Sequence, residues 1–338
     1  MRLPRILPIA AALLLAACDE KADPAAGLSA DSPLAEIERR ILENPNSAVL
    51  FAERARYHER VDSLDKALRD WRRAIELDTT NAALYHGLGD LSFRMLLVDE
   101  ADRAFTKASQ LDPRATMPML RLSELRLLQR RNREAMELVN NVLRLDVHEA
   151  RAYNLKGWIH LDGGDTALAV SSYRTAIEQD PYMIEPYLQL GALFSIHRAP
   201  IAVEYYRSAL EIDPMNVEAL YGMGMYAQEA GMDSVALANY DRIREIAPYY
   251  AHAWYNTGFI LLEHQQDPMA ARPYFVEAQR LAPDYSDAYY NVGVTYERTG
   301  QLDSAFHWYR MTLEREPEHE LGALGLERLQ AKGLRVGR

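Results

Sequence analysis

The chain carries a single cysteine, Cys18, in 338 residues, which excludes an intrachain disulfide and a cysteine-based zinc site. Positive charge is also in short supply: 38 basic against 49 acidic side chains leave a net charge of −11. A protein that neutralises a phosphate backbone needs a basic footprint, so no nucleic-acid partner is expected. The same balance opposes direct docking on anionic lipid. Enzyme signatures are missing too. There is no H-E-x-x-H, no G-x-S-x-G and no phosphate loop, and Gly222-Met223-Gly224 falls in a helical pattern rather than after a strand. The histidines are scattered singly. The best pair, His86 with Asp90, is an i, i+4 couple without a third ligand or a base-orienting partner, so it reads as a solvated pair. No catalytic residue, metal ligand or cofactor is expected.

What is present is periodic. Ala67, Ala101, Ala135, Ala169, Ala202, Ala236, Ala271 and Ala305 return every 34 residues with one compensated slip. A period of this size marks a solenoid, because each unit is too small to bury its own apolar face and must stack on neighbours. Units begin at Ala48, Ala82, Thr116, Ala150, Ile184, Val217, Ala251 and Ser286, and each holds two helical patterns separated by a turn. The eighth position of each is small: Ala55, Gly89, Ser123, Gly157, Gly191, Gly224, Gly258 and Gly293. Four residues after each marker alanine, on the same helical face, stand Trp71, Phe105, Val139, Tyr173, Tyr206, Tyr240, Phe275 and Tyr309. Proline closes most units, at Pro113, Pro181, Pro214, Pro248, Pro283 and Pro317, where it stops the second helix.

This combination resembles the tetratricopeptide repeat and covers residues 48–319. The resemblance implies an all-α fold, a right-handed superhelix of eight helix-turn-helix units. Residues 33–46 read as an N-terminal capping helix, with Ser32 as N-cap and Pro33 at the first helical position. Residues 320–338 read as a C-terminal capping helix and tail. One residue is lost around His197–Pro200 and one gained around His264–Pro268, both expected in the turn between helices. Pro273, inside the second helix of unit seven, is expected to kink it.

The N-terminus has its own pattern. Residues 1–17 carry Arg2 and Arg5, an apolar stretch from Ile6 to Leu15, and the small pair Ala16-Ala17. That is a secretory signal, too short to span a membrane. Leu15-Ala16-Ala17-Cys18 resembles the bacterial lipobox, which implies a palmitate-bearing lipoprotein anchored through Cys18. Asp19 and Glu20 leave inner and outer membrane both open. Residues 18–32, broken by Pro24 and Gly27, read as a flexible tether of about 20 Å mean span.

In the resembled family the first helices line a groove. Its positions here give Met117, Leu120 and Leu127, then Trp158 and Leu161, Leu188 and Ala192, Tyr221 and Met225, Tyr255, Phe259 and Leu262, and Tyr290 and Val294. Asn256 and Asn291, each next to a groove tyrosine, resemble asparagines that contact a ligand's backbone, although they also fit a structural role. An apolar stripe of this length suits a protein or peptide partner, or else packs on itself. The expected function is a lipid-anchored scaffold of the bacterial cell envelope that binds a partner in the groove. The alternative is a periplasmic small-molecule or glycan-binding protein that stacks rings on the aromatic residues.

Overall fold

A computed structural model describes residues 32–333. The signal, Cys18, the tether up to Asp31 and the tail from 334 lie outside the described residues. Among the described residues every regular element is helical. The chain divides after Asp112 into two compact bodies.

The N-terminal body holds α1 (Pro33–Glu43), α2 (Ala48–Arg60), α3 (Leu64–Leu77), α4 (Ala82–Arg94) and α5 (Val98–Leu111). The C-terminal body holds α6 (Thr116–Leu128), α7 (Asn132–Leu145), α8 (Ala150–Asp162), α9 (Thr166–Gln179), α10 (Ile184–Ile196), α11 (Ile201–Ile212) and α12 (Val217–Glu229). It continues with α13 (Asp233–Ile246), α14 (Ala251–Phe259), α15 (Pro268–Leu281), α16 (Ser286–Arg298), α17 (Leu302–Arg315) and α18 (Glu320–Ala331). From α2 to α17 the helices pair as antiparallel hairpins, and within each body the second helix of one hairpin packs on the first helix of the next. Both bodies are built as an α-solenoid is built. Helices α2 to α17 thus form hairpins one to eight along the chain, two in the first body and six in the second.

The sequence explains each hairpin locally. In α3 the residues Ala67, Leu68, Trp71 and Ala74 are buried, an i, i+1, i+4, i+7 stripe that faces the core. Side chains of Ser32, Asn81, Asp165, Asn216 and Asp267 cap five of the helices by accepting backbone N–H groups at 2.9 to 3.1 Å. The small eighth position is a socket for a ring. A Cβ on Gly157 would stand 2.5 Å from the Tyr173 ring, and one on Gly224 would stand 2.6 Å from that of Tyr240. The link between helices places one residue in the left-handed region, where glycine is unstrained. That residue is Gly164, Gly231 or Gly300 in three hairpins and Asp62, Leu96, Arg130, Arg198 or Gln266 in the others.

One expectation about the irregular hairpins needs adjustment. The extra residue of hairpin seven is not taken up by the turn alone. The first helix continues from Phe259 into a π-helical turn, Ile260–His264, the usual way an α-helix absorbs one inserted residue. This keeps Leu262 fully buried. Pro273 sits inside an α15 that runs unbroken from Pro268 to Leu281. Its missing N–H falls opposite the carbonyl of the exposed Met269, in the first turn where water can satisfy it.

Both terminal helices keep the register of the hairpins. Ile37 of α1 lies one period before Trp71 and is likewise buried, so α1 fills the place of a second helix. Gly325 of α18 lies one period after Asn291. A Cβ on it would meet the Tyr309 ring at 2.8 Å, as one on Gly222 would meet Tyr206 at 2.4 Å. Hence α18 fills the place of a ninth first helix. Its eighth residue is Glu327 rather than a small one, and Glu327 and Gln330 are exposed. With Glu327 at that position α18 offers no ring socket, and Leu321 and Leu324 are exposed beside these polar residues.

Candidate functional site

The rings that plug each hairpin obey a pairing rule. A ring with a polar tip meets a polar side chain at the twelfth position of its own hairpin. The Trp71 indole donates to Glu59 at 2.7 Å, the Tyr240 hydroxyl to Gln228 at 3.0 Å and the Tyr309 hydroxyl to Glu297 at 2.7 Å. In hairpin five Ser195 holds that position beside the Tyr206 phenol, although its hydroxyl makes no hydrogen bond. All-carbon plugs meet carbon: Val139 clusters with Leu127, and Phe275 with Leu262. Hairpin four breaks the rule. Tyr173 is fully buried beside Leu161, and its hydroxyl has no partner. Burial without a compensating bond pushes its pKa well above the ordinary phenol value.

The sequence-derived groove residues separate into three groups. Trp158 is exposed at 38%. Leu161, Tyr221, Met225, Tyr255, Phe259, Tyr290 and Val294 are half-buried. Leu188, Asn256 and Asn291 are buried at 7% each, so the expected continuous stripe is interrupted. Leu188 packs against Tyr206, Ala209 and Ala219, because the fifth position of a first helix borders the ring of its own hairpin. Leu120, Leu127 and Leu262 belong to the core as well. The two asparagines are already engaged. The Asn256 amide donates to the hydroxyls of Tyr221 and Tyr240, both at 3.3 Å, and that of Asn291 donates to Tyr255 at 2.9 Å. Both amides tie one hairpin to the preceding one, which is the structural role.

What the stripe loses in exposure it gains in ring packing. Tyr221 lies edge-on to Tyr250 at 5.5 Å, and His252 lies 5.8 Å from Tyr250 and 5.2 Å from Tyr285. Tyr285 then meets Tyr255 at 4.6 Å, and Tyr255 packs edge-on against Phe275 at 5.5 Å. These rings partly desolvate the imidazole of His252, an exposed residue, and hold its pKa below the ordinary histidine value. Sequence reasoning missed Tyr250, His252 and Tyr285. The signal was available, since Tyr250 and Tyr285 each precede a first helix at the same register and His252 follows at the second position.

Two segments of the chain, residues 120–184 and 256–320, match the tetratricopeptide repeat family model. These two segments carry tetratricopeptide repeats. Among solved structures it is similar to the C-terminal part of a TPR repeat-containing protein from Cytophaga hutchinsonii. That match has 17% identity and a TM-score of 0.57, and covers 70% of this chain and 98% of that one. It is also similar to the Cut9–Hcn1 hetero-tetramer of APC/C, with 16% identity, a TM-score of 0.56, and coverage of 89% of this chain and 60% of that one. At these identities the likeness is one of fold. No curated protein sequence matches the chain significantly.

The hairpins of the N-terminal body present a different first-helix surface. Arg54 makes two 2.7 Å bonds to the buried Asp70, Arg94 pairs with Glu59 at 3.1 Å, and Arg56 lies over the Trp71 ring at 5.2 Å. His86 and Asp90 form their expected pair at 3.4 Å. Two shallow depressions, of about 310 and 320 Å³, lie off the aromatic face. One is lined by Ile37, Arg40, Glu53 and Arg60, the other by Tyr153, His160, Leu168 and Ser172. Among the described residues no cluster of side chains could hold a metal ion, and no helix is long and apolar enough to cross a membrane.

Proposed function

We propose that the chain is a non-enzymatic, lipid-anchored scaffold of the bacterial cell envelope, with eight tetratricopeptide units. Its first-helix face in the C-terminal body binds a protein or peptide partner. The tetratricopeptide fold is a scaffold for protein–protein interaction, which supports the class of function. The observation that carries the site is Trp158, a large ring exposed at 38% on a face where Met225, Phe259, Tyr290 and Val294 are half-buried. Large amphipathic rings that a monomer leaves in solvent are characteristic of interfaces. A peptide suits this face better than a sugar or small molecule. The tyrosines stack on each other rather than around a cavity, and small ligands require an enclosing pocket.

The anchor is the lipid on Cys18, with residues 19–32 as tether. A Cys18→Ser chain is expected in the soluble fraction of cells in which the parent sediments with membranes. For the face, the full chain and a Trp158→Ala, Phe259→Ala variant are crosslinked in envelope preparations and the captured proteins compared. Loss of specific proteins from the variant, at an unchanged melting temperature, supports the site. Identical capture by the two chains removes it.

A further inference from the structure

The first-helix face of the C-terminal body also carries charge that no described residue neutralises. Glu185 is the second residue of α10 and Glu218 the second residue of α12. These helices belong to consecutive hairpins and lie side by side, so equivalent positions on them are neighbours. Among the described residues neither carboxylate has an ion-pair or hydrogen-bond partner. The nearest cation at the same register, Arg151, is directed at the Met117 sulfur at 3.0 Å. Arg207, on α11, is taken by Glu204 at 2.5 Å, and Arg242 by the Pro214 carbonyl at 2.7 Å.

Aromatic rings border the pair. Tyr221 follows Glu218 by one helical turn, and Tyr250 packs edge-on against it at 5.5 Å. The charge of Glu218 also reaches the Tyr250 and Tyr206 phenols. Partial burial, with Glu185 beside it, raises the pKa of Glu218 above the ordinary carboxylate value. Two like charges held together on a partly desolvated surface are a cost that an opposite charge from outside would relieve. Faces of tyrosine rings beside them add attraction for a cation.

We infer that this stretch of the face, read as a peptide-binding surface under the proposed function, takes a peptide segment bearing a lysine or arginine. Its cationic head sits between Glu185 and Glu218 beside Tyr221 and Tyr250. The partner is a basic, partly apolar segment, complementary in charge to the carboxylates and in apolar surface to Trp158.

The test measures fluorescence anisotropy of a labelled (Lys-Leu)4 peptide with the full chain, against (Glu-Leu)4. Binding of the basic peptide is expected to weaken at least tenfold in a Glu185→Gln, Glu218→Gln variant. It should change less than twofold in Glu178→Gln, Glu211→Gln, which removes the same charge from second helices. Equal losses in the two double variants, or equally tight binding of the acidic peptide, overturn the cation site. If binding ignores the carboxylates but falls on Trp158→Ala, the apolar face stands and the cation site falls. If binding is insensitive to both changes, both readings fall.

Discussion

The two bodies share one hairpin design yet present opposite first-helix surfaces. In the N-terminal body that surface is held by charge: Arg54 grips the buried Asp70, and Glu59 joins the Trp71 indole to Arg94. In the C-terminal body it is held by rings and amides, from Tyr221 through Tyr250, His252 and Tyr285 to Tyr255, with Asn256 and Asn291 as ties. The periodic positions are alike in both. The scaffold therefore constrains the plug and its socket, while the face is free to be a closed ionic surface in one region and an apolar one in the other. Among the described residues, only the second leaves a large ring in solvent and a carboxylate pair without a counterion.

Breaking the ionic lock is the largest expected effect. Arg54→Met leaves Asp70, which is 6% exposed, facing the His58 imidazole at 3.8 Å in place of a guanidinium, and should cost about 3 kcal/mol, read from denaturant unfolding of the N-terminal body. The ring rule comes next. Tyr309→Phe removes a bond to the Glu297 carboxylate and should cost about 1.5 kcal/mol. Tyr173→Phe removes a hydroxyl that has no partner, so it should be neutral or stabilising by about 1 kcal/mol. Equal losses in the two variants would show that the phenol of hairpin four is satisfied in solution.

The end of the C-terminal body should loosen in acid. Glu297 accepts two bonds from Arg328, at 2.9 and 2.6 Å, and one from Tyr309. The Arg328 bond, foremost, holds its pKa below the ordinary 4.5. A depressed carboxylate pKa contributes stability that is present above the unfolded value and lost as pH falls through the folded one. Amide exchange in α18 should therefore accelerate below about pH 4.5, before that of α16. Glu218 has the opposite sign. Its raised pKa means that the ionised form opposes folding once pH exceeds the unfolded value, so Glu218→Gln should raise the melting temperature slightly at neutral pH.

The smallest effect concerns the links. Leu96 adopts φ 58° and Gly231 φ 71°. Leu96, exposed at 83%, loses no packing on truncation, so Leu96→Gly should stabilise the N-terminal body by about 0.5 kcal/mol once glycine's extra unfolded-state entropy is counted. Gly231→Ala should destabilise the other body by about 1 kcal/mol.

Much of the scaffold was legible before any coordinates. The alanine ladder gave the register, and the register gave the plug rings, their glycine sockets and the helix boundaries, because each depends on neighbours within one hairpin or one period away. The ring pairing was equally readable: Glu59 with Trp71, Gln228 with Tyr240 and Glu297 with Tyr309 stand twelve residues apart. The face was less legible. Leu188 and Phe259 look alike as apolar groove positions, yet the first is buried against Tyr206 and the second only half-buried.

The sequence alone determined the helical hairpin, its period and the plug in each socket, since those follow from side-chain size and spacing along a single helix pair. Tertiary structure decided which groove residues stay in solvent, which asparagine protons are already donated, and that the two terminal helices continue the register. Exposure depends on how closely the adjacent hairpin approaches, and that distance is set by packing between residues a full period apart.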